Sequence, residues 1–293
     1  MSYYHLVNRM ILRLMLLGDE EKAELRRLIR RVEGFTGVNV LTYALMTNHI
    51  HILVEEPDRD QYVDGDELVR RLRCLYGEAG LQEIQARWAL WKERGMVGAV
   101  EDDQARFRER MHDISEFMKQ IKQRFTCWYH RRHGTKGTLW QDRFKSVLVE
   151  DGAALRTMAA YIEMNPVRAK LVDKPQKYRF CGFGEAMGGS KMARKGIGRI
   201  AKAVLSGDDW DGASKSYFEH VLMYEEVRNN RNLLYMDEDL LREKMKNRTE
   251  LTRLERLMCR CRYFTHGQVV GGKEFVEEFF AENRDYFGPH RKE

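Results

Sequence analysis

Residues 3–55 constrain the fold most, because their hydrophobic pattern changes period repeatedly within a short stretch. Tyr3 to Met10 alternates and reads as a strand, with successive side chains on opposite faces. Asp19 to Glu33 turns helical. Asp19 can cap it, acids fall early, and Arg27, Arg30 and Arg31 fall late, which is the order that suits a helix dipole. Val38 to Leu45 and His49 to Glu55 are strand-like again, separated only by Met46-Thr47-Asn48, as in a hairpin. Strand, helix, strand, strand opens a ferredoxin-like unit. The expected fold class is α+β: a ferredoxin-like antiparallel sheet with flanking helices, a helical insertion over about 58–110 and a C-terminal helical region.

The rest of the chain is charged and mostly helical. Pro57 to about Arg110 contains Trp88 and Trp91 and reads as the insertion. Ile114 to His133 is a basic helix, Val147 to Val149 a short strand, and Ala153 to Met164 a helix that stops at Pro166. Gly182 to Gly198, centred on Gly188-Gly189-Ser190, is the candidate domain boundary. It divides the chain into a catalytic domain at 1–185 and a helical region at 186–293. Helices are expected there at about 199–205, 213–228, 237–261 and 273–284. Phe264 to Val276 is compatible with a helix-turn-helix that reads duplex DNA, or with a helical cap on the catalytic domain. Cys259, Cys261 and His266 do not read as a zinc site, because the cysteine spacing is too short and a fourth ligand is missing.

Composition narrows the partners. Apolar residues make up 43 % of the chain, enough for a substantial core, and the net charge of +6 favours an anionic partner. The five cysteines are scattered and read as reduced thiols in a cytoplasmic protein. There is no run of about eighteen apolar residues to span a membrane. Met10 to Leu17 is interrupted by Arg13, so no signal peptide is expected.

His49-Ile50-His51 lies inside the third strand, so the two imidazoles share a face while Ile50 and Ile52 take the other. Two neutral imidazoles converging on an exposed point suit a divalent metal, although an amphipathic strand with two solvent-facing histidines has the same pattern. Tyr161 and Asn165 stand four apart at the end of the Ala153–Met164 helix, and that spacing shares a helix face. A metal held by His49 and His51 could take the Asn165 carbonyl oxygen with Tyr161 nearby, although Asn165 precedes Pro166, a placement that disfavours the helical conformation. The set would support phosphoryl transfer to a tyrosine hydroxyl, with the metal offsetting charge on the phosphate oxygens. A tyrosine beside Ala159 and Ala160 on an amphipathic helix is more often a core or rim residue.

Three stretches carry a resemblance. Met46 to Leu53 looks like the HUH motif (His, hydrophobic, His) of single-strand transposases. Gly137-Thr138-Leu139-Trp140-Gln141-Asp142-Arg143-Phe144-Lys145-Ser146 and Tyr161-Ile162-Glu163-Met164-Asn165-Pro166-Val167-Arg168-Ala169 follow in the same order. Together, over about residues 3–185, they resemble the REP-associated tyrosine transposases, bacterial relatives of the IS200-like single-strand transposases. The resemblance implies that His49 and His51 bind magnesium or manganese, that Asn165 completes the metal site, and that Tyr161 is the nucleophile. It also implies a 5′-phosphotyrosine link, a free 3′-OH, and a substrate of single-stranded DNA hairpins formed by repetitive palindromes. Monomers and homodimers both occur among such proteins. The insertion and the long C-terminal extension depart from the smaller members. Two rival readings are a domesticated palindrome binder that does not cut and a metal-dependent phosphodiesterase that uses water.

Lys119, Lys122, Arg124, Arg131, Arg132, Lys136, Arg143 and Lys145 form a basic run in which Asp142 is the only acid. With Trp128, Tyr129, His130 and Trp140 interleaved, the run suits phosphate contacts and base stacking. Tyr129 itself is favoured as a packing residue. His133 to Gly137 reads as a flexible loop that a phosphate can approach. Arg168, just past the Tyr161 helix, is placed to hold the strand near the nucleophile. Lys191, Arg194, Lys195 and Arg199 add a second patch that reads equally as a soluble linker.

Overall fold

The computed structural model describes residues 1–202, 210–229, 264 and 267–284. Strand β1 (Ser2–Arg9) leads to helix α1 (Asp19–Thr36) and the hairpin strands β2 (Asn39–Leu45) and β3 (His49–Glu56). Glu21 accepts from the Gly18 amide at 2.9 Å and so satisfies an amide at the start of α1. Gly37 ends the helix in the left-handed region, at φ 75°. The hairpin is closed by Met46 N–H donating to His49 O at 2.9 Å.

With β4 (Lys145–Val149) and β5 (Val269–Val270), the strands form one sheet in the order β2-β3-β1-β4-β5. The first four keep the order of a ferredoxin-like split unit, in which β3 lies between β2 and β1. β1 runs antiparallel to β4, from Tyr3 opposite Val149 to Val7 opposite Lys145. β5 runs parallel to β4, so the sheet is mixed rather than wholly antiparallel. Val269 and Val270 lie in the stretch that reads as either a helix-turn-helix or a helical cap, and they extend this sheet instead. The expected helix at 237–261, the Cys259–Cys261 pair and His266 lie outside the described residues.

The chain forms two compact units. One comprises Met1, Met10–Val40 and Glu55–Asp142; the other comprises Ser2–Arg9, Leu41–Val54 and the described residues from Arg143 onward. Neither has a boundary at residue 185.

In the first unit, α1 packs against α2 (Gly65–Glu93) and α4 (Ile114–His133), and α2 packs against α3 (Val97–Arg108). The insertion is helical, as its composition suggests. Gly77, at φ 72°, breaks the regular path of α2. Arg31 reaches across from α1 to the carbonyls of Cys74, at 3.2 Å, and Leu75, at 2.6 Å, next to that break. The Trp88 indole ties α2 to α3 through Asp103 at 2.7 Å.

In the second unit, helix α5 (Ala153–Glu163) packs on β4, and the short α6 (Asn165–Arg168) follows it. Helices α7 (Gly182–Met187), α8 (Lys191–Lys202), α9 (Trp210–Asn229) and α10 (Lys273–Glu282) also belong to it. The glycine-rich stretch expected as a linker is thus helical. Two of its glycines are required by close packing: a Cβ on Gly182 would meet the Thr42 hydroxyl at 2.2 Å, and one on Gly184 the Tyr178 carbonyl at 2.0 Å. No helix among the described residues is long and apolar enough to cross a membrane.

Candidate active site

The alternation of β3 puts Ile50 and Ile52 into the core with no exposure and turns His49 and His51 to the other face. Their ring centroids are 4.9 Å apart. That face is only partly open to solvent, rather than exposed as the sequence suggested: His49 is half-buried and His51 is 3 % exposed. The neighbouring strand β1 supplies His5, fully buried, its ring nearly parallel to that of His51 with centroids 5.1 Å apart. His5 Nε2 lies 2.9 Å from His51 Nδ1, and His5 Nδ1 lies 2.6 Å from the Phe264 carbonyl oxygen.

Burial is the main force on these rings. It lowers His5 to about 4 against the backbone bond to Phe264, which acts in the opposite sense. It lowers His49 to about 4, with Arg9 adding to the effect. It pushes His51 well below its ordinary value, helped by His5, His49, Arg168 and Arg9. All three rings are therefore neutral near pH 7, the state in which imidazole binds metals.

Tyr161 stands at the end of α5, half-buried, with its ring 6.0 Å from His51 and 6.2 Å from His5. The Phe264 ring packs edge-on against it at 5.1 Å. Arg168 lies over the Tyr161 ring at 4.5 Å and donates to the Tyr161 carbonyl at 2.6 Å. Asn165 opens α6 despite preceding proline. Its Nδ2 donates to the carbonyls of Tyr161 at 3.0 Å and Ile162 at 3.3 Å. Those bonds stabilise the chain end of α5 and leave the amide oxygen as the group with lone pairs to offer.

The donor chemistry of the two neutral imidazoles suits a divalent cation. His49 Nδ1 faces Asn48 Oδ1 at 2.6 Å, which makes Nδ1 the protonated nitrogen and leaves the Nε2 lone pair for a metal. Among the described residues no group of three His, Cys, Asp or Glu side chains is arranged to hold a metal ion. Ligation here would rest on two imidazoles and the Asn165 amide oxygen.

Between Tyr161 and Asn165, Glu163 points the other way, into the core, with no exposure. Its Oε1 accepts from the Thr42 hydroxyl, from the Phe183 amide at 2.9 Å and from the Tyr217 hydroxyl at 3.5 Å. Glu163 thus joins the Tyr161 helix to β2, α7 and α9. Burial raises its carboxyl to about 7 against the opposing pull of these bonds.

The basic run divides by environment. Arg131, Arg132, Lys136, Arg143 and Lys145 are exposed. Arg132 is held by both Glu20 oxygens, at 2.8 and 3.2 Å, and Lys119 by Glu116 at 2.9 Å. Lys122 donates to the Asp142 carbonyl at 3.0 Å, and Arg124 lies over the Tyr76 ring at 5.3 Å. Trp140 does not serve the base stacking expected of it. It is 7 % exposed, and its indole donates to Thr126 at 3.1 Å, so it packs against α4. Tyr129 also packs, 4.2 Å from His133 between ring centroids. The loop after α4 is tied down by His130, whose ring nitrogens meet Thr135 at 2.8 Å and the Gly137 carbonyl at 2.7 Å.

The sequence reading missed His5, Arg9 and Glu163. The first two sit on β1, where period-two alternation puts them on one face with Tyr3 and Val7. That β1 adjoins β3 is a fact of sheet order, which local pattern does not carry.

Comparison with known proteins adds to this geometry. Residues 1–106 match the family model described as "Transposase IS200 like". The matched segment contains His5, His49 and His51 and ends before Tyr161. No curated protein matches the chain. Among solved structures, one described as a REP-associated tyrosine transposase bound to a REP hairpin is 17 % identical, with a TM-score of 0.40. The similarity covers 71 % of this chain and 86 % of that one.

Proposed function

With residues 1–106 matching the IS200-like transposase family, we propose that this protein is a metal-dependent tyrosine transposase. It binds single-stranded DNA hairpins of REP-like palindromes, and it nicks and rejoins them through Tyr161. The observation that carries this reading is the meeting of the end of α5 with the β3 histidines, which puts the Tyr161 ring 6.0 Å from His51.

The Tyr161 hydroxyl oxygen attacks the scissile phosphorus. An O–P bond to tyrosine forms, the bond from phosphorus to the 3′ oxygen breaks, and the DNA 5′ end remains on the enzyme. The hydroxyl proton leaves Tyr161, and the departing 3′ oxygen takes up a proton to become a free 3′-OH. One phosphodiester replaces another, so attack by a 3′-OH reverses the step and joins strands. Magnesium or manganese, when held by His49, His51 and Asn165, would withdraw charge from the phosphate oxygens. Arg168 restrains the Tyr161 ring and, with Arg9, adds positive charge where the phosphate must sit. Asn165 and Arg168 both bond the Tyr161 carbonyl, which fixes the backbone that carries the nucleophile.

The test is incubation with Mn²⁺ and end-labelled single-stranded hairpins from the palindromes flanking the gene, beside Tyr161→Phe. The expected result is a denaturant-resistant protein–DNA adduct that the variant does not form. Tight binding with no adduct under either metal would instead identify a regulatory binder. Cleavage that survives in Tyr161→Phe would identify a hydrolase that uses water.

A further inference from the structure

We propose that His5 is a positioning residue that sets the tautomer of His51 and so turns the lone pair of His51 Nε2 toward the metal. This inference rests on the metal reading above and adds to it a residue and a role.

A chain of hydrogen bonds fixes where each proton lies. The Phe264 carbonyl oxygen can only accept, so His5 Nδ1, 2.6 Å away, must carry the hydrogen. A neutral His5 then has a bare Nε2, which can only accept. His51 Nδ1 lies 2.9 Å from it and must donate. A neutral His51 with hydrogen on Nδ1 has its lone pair on Nε2. One backbone carbonyl thereby decides the state of a ring two bonds away. His49 reaches the same state by a shorter route through Asn48. Both rings of the HUH pair are thus set to ligate through Nε2, one from its own turn and one from the adjacent strand.

Burial makes the arrangement firm. His5 is 0 % and His51 3 % exposed, so water does not readily replace a lost partner. The opposite tautomer of His51 would set two lone pairs against each other at 2.9 Å unless His5 also reversed. If His5 reversed, its own lone pair would face the Phe264 oxygen. The two rings are 17° from parallel with centroids 5.1 Å apart, the side-by-side arrangement that an in-plane hydrogen bond between them requires. His5 meets the Tyr161 ring only edge-on, at 6.2 Å between centroids; its hydrogen bonds go to Phe264 and His51, and it acts through His51. Partners of this kind typically alter metal affinity about 10- to 100-fold when removed.

The test uses the full chain with ¹⁵N-labelled histidine. Long-range ¹H–¹⁵N spectra of the metal-free protein at pH 7.5 should show His51 protonated at Nδ1. His5→Phe, which keeps an aromatic ring but removes both nitrogens, should give a mixed tautomer. His5→Gln, whose amide both donates and accepts, should restore the wild-type state at least in part. Stepwise Mn²⁺ addition then reads affinity from the broadening of the His49 and His51 ring signals. About 10- to 100-fold more Mn²⁺ should be needed in His5→Phe, with recovery in His5→Gln. Hydrogen on His51 Nε2 in the wild type would overturn the proposal, and so would an unchanged tautomer and unchanged affinity in a folded His5→Phe. A wild type that shows the expected tautomer but takes up no Mn²⁺ would defeat the metal reading of the function, while the tautomer assignment would stand on its own spectrum.

Discussion

In the sheet-bearing unit His5, His51 and Glu163 are buried among hydrogen-bond partners, whereas in the helical unit Arg132 and Lys119 are exposed and set against acids. His5, His51 and Glu163 each lose nearly all contact with water, and each has partners fixed by the backbone around it. Arg132 and Lys119 sit in solvent and pair with Glu20 and Glu116. A buried donor that loses its partner costs about 1–3 kcal/mol, whereas an exposed ion pair contributes about 0–1 kcal/mol. Roles in the sheet-bearing unit should therefore be all-or-none and local. Roles in the helical unit should be graded, additive and sensitive to salt.

The largest expected effect tests the all-or-none side. His49→Ala should lower hairpin cleavage by roughly a thousandfold or more, because phosphate charge is no longer offset. Hairpin binding, measured by anisotropy, should change by less than about threefold, since phosphate contacts elsewhere supply most affinity. A fall in binding as large as the fall in cleavage would erase the contrast between the two regions.

Glu163 gives the next effect, on stability. Its carboxyl, ordinarily near 4.5, is raised to about 7 in the folded protein. The folded state therefore binds more protons than the unfolded state between those values, and stability falls as pH rises through that window. Below about 4.5 the group contributes no penalty; above about 7 the penalty is complete. At about 1.4 kcal/mol per pKa unit, Glu163→Gln should gain about 3 kcal/mol on wild type between pH 4.5 and pH 8. Urea midpoints at the two pH values check this. Parallel changes in both proteins would show that Glu163 does not titrate in the fold.

The smallest effect belongs to the basic helix. Arg131→Ala should weaken hairpin binding several-fold and reduce the slope of log affinity against log salt by about 0.7–0.9. Arg132→Ala should do less, because Glu20 already holds its guanidinium. Equal losses from the two substitutions would mean that the Glu20 pair opens when DNA binds. An unchanged slope in both would take this end of α4 off the DNA path.

The same contrast explains what the sequence revealed. The alternation of β1, β2 and β3, the helix α1 and the basic α4 are local patterns, and each forms near where its pattern falls, although Gly18 and Glu21 rather than Asp19 cap the start of α1. The pairing of His49 with His51 is also local, since strand geometry alone puts both rings on one face. His5 was not legible, because its meaning depends on β1 lying beside β3. Glu163 looked like one more helix acid; only packing against Thr42, Phe183 and Tyr217 makes it a buried node. Gly182 and Gly184 suggested a linker because composition does not distinguish a glycine that frees the chain from one that lets Thr42 and Tyr178 come close. Trp140 stood among cations in the sequence, yet its side chain turns inward to Thr126.

The most direct test of the central claim is to digest the Mn²⁺-dependent protein–DNA adduct and find the modified peptide by mass spectrometry. The account predicts a nucleotide joined through its 5′ phosphate to Tyr161, with a free 3′-OH on the released fragment. Attachment at another tyrosine, or a 3′-phosphate on the protein, would contradict it.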